Sequence, residues 1–539
     1  MRFVIVSFVW VCFIATYFVG CAKLPAESDL EIKTHVPRVF ANKELLQNIA
    51  TTKGNNAEYT DFKSTFYTLF DDLVLNDLAN RALQQNTNLK ILESNIRQAR
   101  ATAKIHSWNL FPKANAGLNY NYSDNNYKQI QTNITQNTTN LGLSFSWEVD
   151  LFGKLNALRL ASKQQILQSI YSLQSAQVIL LGDIANYYFT IRQTQQALTL
   201  NRQITQNLEE IYKLTEKKYH LGLVGLDSVA TTKSNYLIQK NTTLSLEYTL
   251  EQNKNALLVL LNANELGFDM YADDYGFKTP QIPPIDSMPT NVLFNRPDVR
   301  ASVFALNASL YQRYNKKMAL LPSINLSGNL GQILFSPQLG IGDMVWQMAG
   351  SLAAPLLNRQ TLTQDYIIAK ENTKQSFYAL QNTMNTALAE IENAAKYVAI
   401  TQESFQHAQE NYNINKDTLI IMESRYQKNL IDSISRLEYE NSYLRAKNTL
   451  ASANLSKNQA VIALYKAFGG DFHPNELRDG VLQTMQIPNI EQPQEDNVRD
   501  PANKGKGESC QAQKKSMIPL RQKQQEHGLF YLSFLELPC

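Results

Sequence analysis

The chain has 539 residues, is 44% hydrophobic and 18% charged, and carries a formal net charge of +3. That length and apolar content allow a large core, while so small a net charge gives no electrostatic argument for nucleic acid. Asn and Gln are abundant and the six histidines are scattered, which suits a solvated or water-filled surface better than a metal enzyme.

The N-terminus reads as an export signal over residues 1–20. Arg2 precedes an apolar run from Phe3 to Val19, and Gly20-Cys21 follow at the cut. Of the four cysteines, Cys12 lies in that run, Cys510 and Cys539 lie in the tail, and none falls between 22 and 509, so the folded body relies on packing alone. Phe18-Val19-Gly20-Cys21 resembles a bacterial lipobox, in which the thiol takes a diacylglycerol; the alternative is a plain signal peptide with a chance cysteine. No other stretch reaches the ~20 apolar residues of a transmembrane helix, so a body that crosses a membrane must do so with strands closed into a barrel.

Residues 21–71 are weakly periodic and are expected to form an extended arm. Residues 72–107 return apolar side chains at helical spacing (Leu75, Leu78, Ala82, Leu89, Leu92, Ile96), and Pro112 ends that helix. A hairpin is expected over 114–150. Its first strand alternates Ala116, Leu118, Tyr120 and Tyr122 with small or polar residues. Its second runs from Leu141 to Trp147 with Gly142, Ser144 and Ser146 between. Tyr120, Tyr122, Phe145 and Trp147 would face lipid or an interfacial girdle, unless they pack inward.

The period changes at the junction of Asp150 and Gly153. Ile166, Ile170, Leu173, Leu180, Ile184 and Ile191 fall on two positions of one seven-residue register. The spacing predicts one helix over 154–219, roughly 100 Å long at 1.5 Å per residue, which must pack lengthwise against other long helices. Gly222-Leu223-Val224-Gly225 is a turn, and a shorter helix is expected over 226–262. Residues 264–295 carry several Pro, Gly and Asp and read as a non-helical linker or a small subdomain.

The pattern then starts over. Residues 296–321 are helical, a hairpin is expected over 323–354, and Pro355 stands where Asp150 stood. A second long helix is expected over 361–428, marked at seven-residue steps by Ile391, Val398, Phe405, Tyr412 and Leu419. After a turn formed by Asn429, Leu430, Ile431, Asp432 and Ser433, a shorter helix runs over 434–468. A structural duplication of residues 72–263 by 296–468 explains this recurrence. Residues 469–490 close the folded body, and 491–539, rich in Gln, Lys and Pro, are expected to be disordered.

Two hairpins supply four strands, too few to close a barrel, since small barrels need about eight. Open edges cannot sit in lipid, so copies must share one barrel and the chain should be an oligomer.

Trp147-Glu148-Val149-Asp150-Leu151-Phe152-Gly153-Lys154, Arg296-Pro297-Asp298-Val299-Arg300 and Tyr465-Lys466-Ala467-Phe468-Gly469-Gly470 are the motifs that, with the lipobox and the duplication, resemble the TolC-type outer membrane efflux family in its lipoprotein branch serving RND-type multidrug pumps. The resemblance covers about residues 21–490 and leaves the tail unmatched. It implies a mixed α+β membrane protein: a homotrimer whose twelve-stranded β-barrel, four strands from each protomer, continues into a periplasmic helical barrel with an equatorial belt. It also implies an acylated Cys21 in the outer membrane, a periplasmic adaptor meeting the turns 222–225 and 429–432, and an inner-membrane RND-type pump. By the same resemblance the periplasmic end closes near the start of the last helix, with the inward apolar position on Ile434 and the acidic one on Glu438. The alternative is a solvated Glu beside a buried Ile. Asn441 stands where relatives carry Arg, which puts a salt-bridge latch there in doubt.

No catalytic set emerges: neither HExxH, nor a GxxxxGK[ST] loop, nor a GxSxG elbow occurs, and His106, His220 and His407 are most simply surface or packing residues. The expected role is a passive exit duct needing no cofactor, metal or nucleic acid. A duct for type I protein secretion shares the fold, and a coiled-coil adhesive fibre is disfavoured because a fibre needs no amphipathic hairpins.

Overall fold

A computed structural model describes residues 62–127, 132–266, 289–335 and 344–470. Cys21, the export signal, most of the arm and the tail lie outside the described residues, which all belong to the first of the chain's two units, Met1–Leu477.

Three short helices open the described chain: α1 (Phe62–Phe70), α2 (Leu73–Gln85) and α3 (Thr87–Trp108). The arm expected to be extended is helical over α1, because Phe66, Leu69 and Phe70 fall on one helical face and are buried there. Phe66 meets Tyr465 at 5.6 Å between ring centroids, and Phe70 meets Phe189 at 5.5 Å. The single helix expected over 72–107 is two. Asn86 adopts an extended conformation, and its side-chain oxygen accepts from the backbone N–H groups of Asn88 and Leu89 while its amide donates to Leu260 O. Asn86 thus caps α3 where α2 stops, a competition with helical hydrogen bonding for which asparagine is suited.

A hairpin follows, β1 (Lys113–Tyr127) and β2 (Thr132–Val149), then α4 (Lys154–His220), α5 (Leu226–Leu261) and a short α6 (Pro289–Asn295). The linker expected to be non-helical therefore contains a helix at its end; Pro289 stands at its first position, where a missing N–H costs nothing. The second repeat comprises α7 (Pro297–Met318), β3 (Ser323–Phe335), β4 (Met344–Ala353), α8 (Arg359–Gln427) and α9 (Ser433–Ala467). The two long helices have 67 and 69 residues, and α3 and α7 have 22 each, so corresponding elements match in order and length.

The buried residues cluster where α1, α2, α4, α5, α8 and α9 meet. Tyr188, Ile184 and Ile191 of α4 pack there with Leu257 and Leu261 of α5, Ile391 and Val398 of α8, and Val461, Ile462, Tyr465 and Phe468 around the end of α9. Gly182 permits the closest approach: a Cβ there would fall 2.5 Å from Lys466 Cδ and 3.4 Å from Ile462 Cγ2.

The four strands form one antiparallel sheet in the order β1-β2-β3-β4. The repeats join through β2 and β3, and β1 and β4 are its edges. The register sorts the side chains by type. Ala116, Leu143 and Leu330 lie opposite one another in one row, and Trp147 opposite Leu326 in another; the alternate row holds Asn115, Ser144, Asn329 and Gln347. One face is therefore apolar and yet exposed, with Trp346 at 73% and Met348 at 80% of full accessibility, and the other is mostly amides, hydroxyls and glycines, with Lys113 and Glu148 at its helix end. Tyr120, Tyr122 and Phe145 are likewise exposed rather than packed inward, and Trp147 is half-buried.

Candidate functional site: junctions, clamp and tip

Where strand gives way to helix, Asp150 does the capping. Its carboxylate accepts from the backbone N–H groups of Leu155 (3.0 Å) and Asn156 (2.7 Å), meeting the unpaired donors and the positive end of α4. Gly153 sits at φ +70°, a left-handed turn that a side chain would strain. Glu148 pairs with Lys154 across the junction, and Trp147 Nε1 donates to Leu110 O at 2.9 Å. Pro355, at the other junction, leaves α8 without a side-chain cap, since its N-cap residue Asn358 makes none. The two junctions enclose a cavity of about 310 Å³ lined by both, Asp150 and Pro355 included.

Beside the main buried cluster, at the end of α9, two of the motifs singled out in the sequence lock together. Arg296 is buried; its guanidinium donates to both oxygens of Asp298 (3.1 and 2.7 Å), to Glu390 Oε2 (2.6 Å) and to Ala467 O (2.7 Å). Burial alone would pull its pKa down; Asp298 and Glu390 more than offset that, and the group stays charged. Gly469, at φ +69°, lets the chain pass Pro297, whose Cδ would lie 2.9 Å from a Cβ there. Nearby, Tyr188 donates to Asp72 Oδ2 at 2.7 Å, and burial together with that bond raises its pKa above the usual tyrosine value.

The turns between long and short helices are two copies of one device. Gly222 is at φ +72° and Leu223 N donates back to Lys218 O at 2.9 Å. Asn429 is at φ +56° and Leu430 N donates back to Arg425 O at 2.9 Å. Both are left-handed helix endings, at Gly and at Asn, the residues that tolerate the conformation. The hydrophobic residue after each, Leu223 and Leu430, is exposed, as are Leu221 and Leu226. Val224 and Ile431 are half-buried, and Gly225 and Asp432 begin α5 and α9. Asp432 caps α9 through Ser435 N (2.9 Å) and pairs with Lys218 Nζ (2.8 Å), so it ties the two turns together. Lys218 and the Ser435 N–H hold its carboxyl well below the usual carboxylate range.

Ile434 and Glu438 lie in the first turns of α9, four residues apart and hence on one face; Ile434 is half-buried and Glu438 exposed. Asn441, one turn further on, is buried and accepts from Asn207 Nδ2 at 3.0 Å, a neutral bond in place of an ionic latch. The sequence reading missed the Lys218–Asp432 link and the Arg296 clamp. A signal existed for one half of each: Asp432 three residues before Ser435 is a capping pattern, and Arg296-Pro297-Asp298 was already singled out. Among the described residues no group of His, Cys, Asp and Glu could hold a metal ion, and no helix is long and apolar enough to cross a membrane.

A sheet with one exposed apolar face and one polar face, feeding without a domain break into helices of nearly 70 residues, defines an outer membrane channel: strands of a β-barrel continuous with a helical barrel. The outer membrane efflux protein family profile matches residues 78–263 and 288–470, more than half of the chain. The chain belongs to the outer membrane efflux protein family, and its place is in the outer membrane, as an exit duct for efflux. It is 24% identical over 478 residues to the probable efflux pump outer membrane protein TtgC of Pseudomonas putida, covering 87% of this chain and 96% of that one. It is 22% identical over 474 residues to the cation efflux system protein CusC of Escherichia coli, covering 85% of this chain and 98% of that one. Among solved structures, the CmeC outer membrane channel of Campylobacter jejuni superposes with a TM-score of 0.72 at 24% identity, covering 85% of this chain and 96% of that chain.

Proposed function

We propose that three copies of this chain form one passive duct, held in the outer membrane by a twelve-stranded barrel and by an acylated Cys21, and reaching through the periplasm to an adaptor and an inner-membrane RND-type pump. The observation that carries this reading is the sheet: four strands with two unpaired edges and an exposed apolar face have no stable place in lipid until other copies complete the wall. The duct does no chemistry; energy comes from the pump.

The exposed leucines of the turns 222–225 and 429–432 form the surface that meets the adaptor. Ile434 and Glu438 close the idle duct, three copies of Glu438 making an acidic ring that favours cations in the throat. Cargo is drawn from drugs, detergents, bile salts and other small toxic compounds. Relatives named for efflux pumps and for cation efflux match this chain almost equally, so cargo choice belongs to the pump rather than to this chain.

The test is a deletion strain. It should become sensitive to dyes, detergents and bile salts, and the wild-type chain should restore resistance. Loss of a secreted protein with unchanged drug sensitivity would replace this reading with type I protein secretion. For the gate, Glu438→Ala in a reconstituted duct should raise conductance or weaken block by multivalent cations; unchanged behaviour removes Glu438 from it.

A further inference from the structure

We infer that the helical section is closed by a seam of its own, in which the outward stripe of α8 packs against α5 of a neighbouring copy. The inference rests on the shared-wall reading above, which was drawn from the sheet, and adds where and in what register the helices of two copies meet.

The helices of one copy form an open layer, as the strands do. α3 and α5 pack on α4, α4 packs on α7 and α9, and those two pack on α8. Two joints turn pairs of shorter helices into columns: Asn86 Nδ2 donates to Leu260 O at 2.8 Å between α5 and α3, and Arg296 donates to Ala467 O at 2.7 Å between α9 and α7. The lateral order is therefore α5/α3, α4, α9/α7, α8. It repeats the strand order β1-β2-β3-β4, so the two outer columns continue the two sheet edges. α8 buries Ile391 and Val398 within its own copy. Its opposite side repeats every seven residues through Ile400, His407, Ile414 and Ile421, and the three isoleucines are each more than half exposed. α5 buries Leu250 and Leu257, and leaves Leu237, Leu244 and Tyr248 exposed. Each outer column thus carries an apolar stripe that its own copy does not cover.

The two stripes match in level, spacing and charge. Lys218 and Asp432, 2.8 Å apart, hold the two turns level, and copies related by an axis along the tube keep that level. Ile421, Ile414 and His407 lie 6, 13 and 20 residues before the end of α8 at Gln427, and Ala230, Leu237 and Leu244 lie 4, 11 and 18 residues after the start of α5 at Leu226. The offset is two residues at every step, about 3 Å along the axis. Charges beside the stripes agree with the same register. Lys233 and Lys240 of one copy come opposite Asp417 and Glu410 of the next, and all four side chains are exposed. One step higher Glu247 comes opposite Glu403, and Arg202, 2.7 Å from Glu247, offsets that repulsion. Agreement in level, seven-residue spacing and sign selects a second copy of this chain as the occupant.

The experiment uses the full chain in native outer membranes, carrying Leu237→Cys together with Ile414→Cys, and a bismaleimide that spans about one helical turn. Chains should link into dimers and trimers at least about tenfold faster than with Leu237→Cys and Ile400→Cys, whose second position lies about 21 Å further along α8. Each single-cysteine variant treated identically corrects for the native cysteines. In the same background Lys240→Glu should slow linking, and Glu410→Lys added to it should restore the rate. Linking that is absent or equal for the two cysteine pairs, or a charge exchange that restores nothing, overturns the inference; a particle mass of three chains then leaves the duct reading standing. Particles of one chain overturn the duct reading, and this inference with it.

Discussion

Arg296→Met tests whether the beginning and the end of the second repeat are held together by one buried cation. The change removes a forked pair to Asp298, a bond to Glu390 and the donor to Ala467 O, all between 2.6 and 3.1 Å. The orphaned carbonyl costs about 1–3 kcal/mol on its own. Breaking a buried ion pair by deleting one partner costs about 3–5 kcal/mol, but Asp298 is a third and Glu390 half exposed and both regain water. The sum is therefore about 3–4 kcal/mol for Arg296→Met. Arg296→Lys keeps the charge but cannot fork, and should lose about 2 kcal/mol. Asp298→Ala, which leaves Arg296 bonded to Glu390 and Ala467 O, should cost less than either. The assay is urea unfolding of the detergent-extracted protein followed by tryptophan fluorescence. An Arg296→Met variant within about 0.5 kcal/mol of the parent, the range of an ordinary surface change, would refute the clamp.

Four further outcomes are expected. Lys218→Ala should cost no more than about 1 kcal/mol, because the pair is exposed, whereas Asp432→Ala also loses the α9 cap and should cost about 1 kcal/mol more; hydrogen exchange at Ser435 reads the difference. Since the Asp432 pKa is depressed on folding, its contribution is present above the ordinary aspartate value and lost only as pH falls through the lower folded value; exchange at Ser435, corrected for the intrinsic rate, should show constant protection from pH 8 to 5 and lose it only below about pH 4. Gly182→Val should displace Lys466 from Asp183, 3.0 Å away, and destabilise the protein by about 1–3 kcal/mol through overpacking, read as a lowered urea midpoint. Asp150→Ala should cost about 1–2 kcal/mol and quicken exchange at Leu155 and Asn156, while Pro355→Ala should leave the start of α8 unchanged, because no cap resides there.

Much of this architecture is legible without coordinates because it is repetitive. A helix of nearly 70 residues writes its register many times over, so Leu180, Ile184 and Ile191 declare the buried face of α4, and Ile391 and Val398 that of α8. The strands are legible for the same reason: Leu141, Leu143 and Phe145 alternate with Gly142, Ser144 and Ser146. What escapes is short or distant. The nine residues of α1 are too few to display a period, and the apolar pattern runs straight through Asn86, whose capping bonds break the helix. The Lys218–Asp432 and Arg296–Glu390 pairs join residues far apart in the chain, a proximity created between the repeats for the first and by packing within the second repeat for the other. Asp150 was marked as a junction by its motif, yet that it grips two amides five and six residues onward depends on the left-handed turn at Gly153.

The protein mass of the full-length chain extracted in mild detergent, with detergent and lipid subtracted, tests the shared wall most directly. Three chains per particle is the predicted result. A stable particle of one chain, with the β1 and β4 edges left unpaired, would contradict the account.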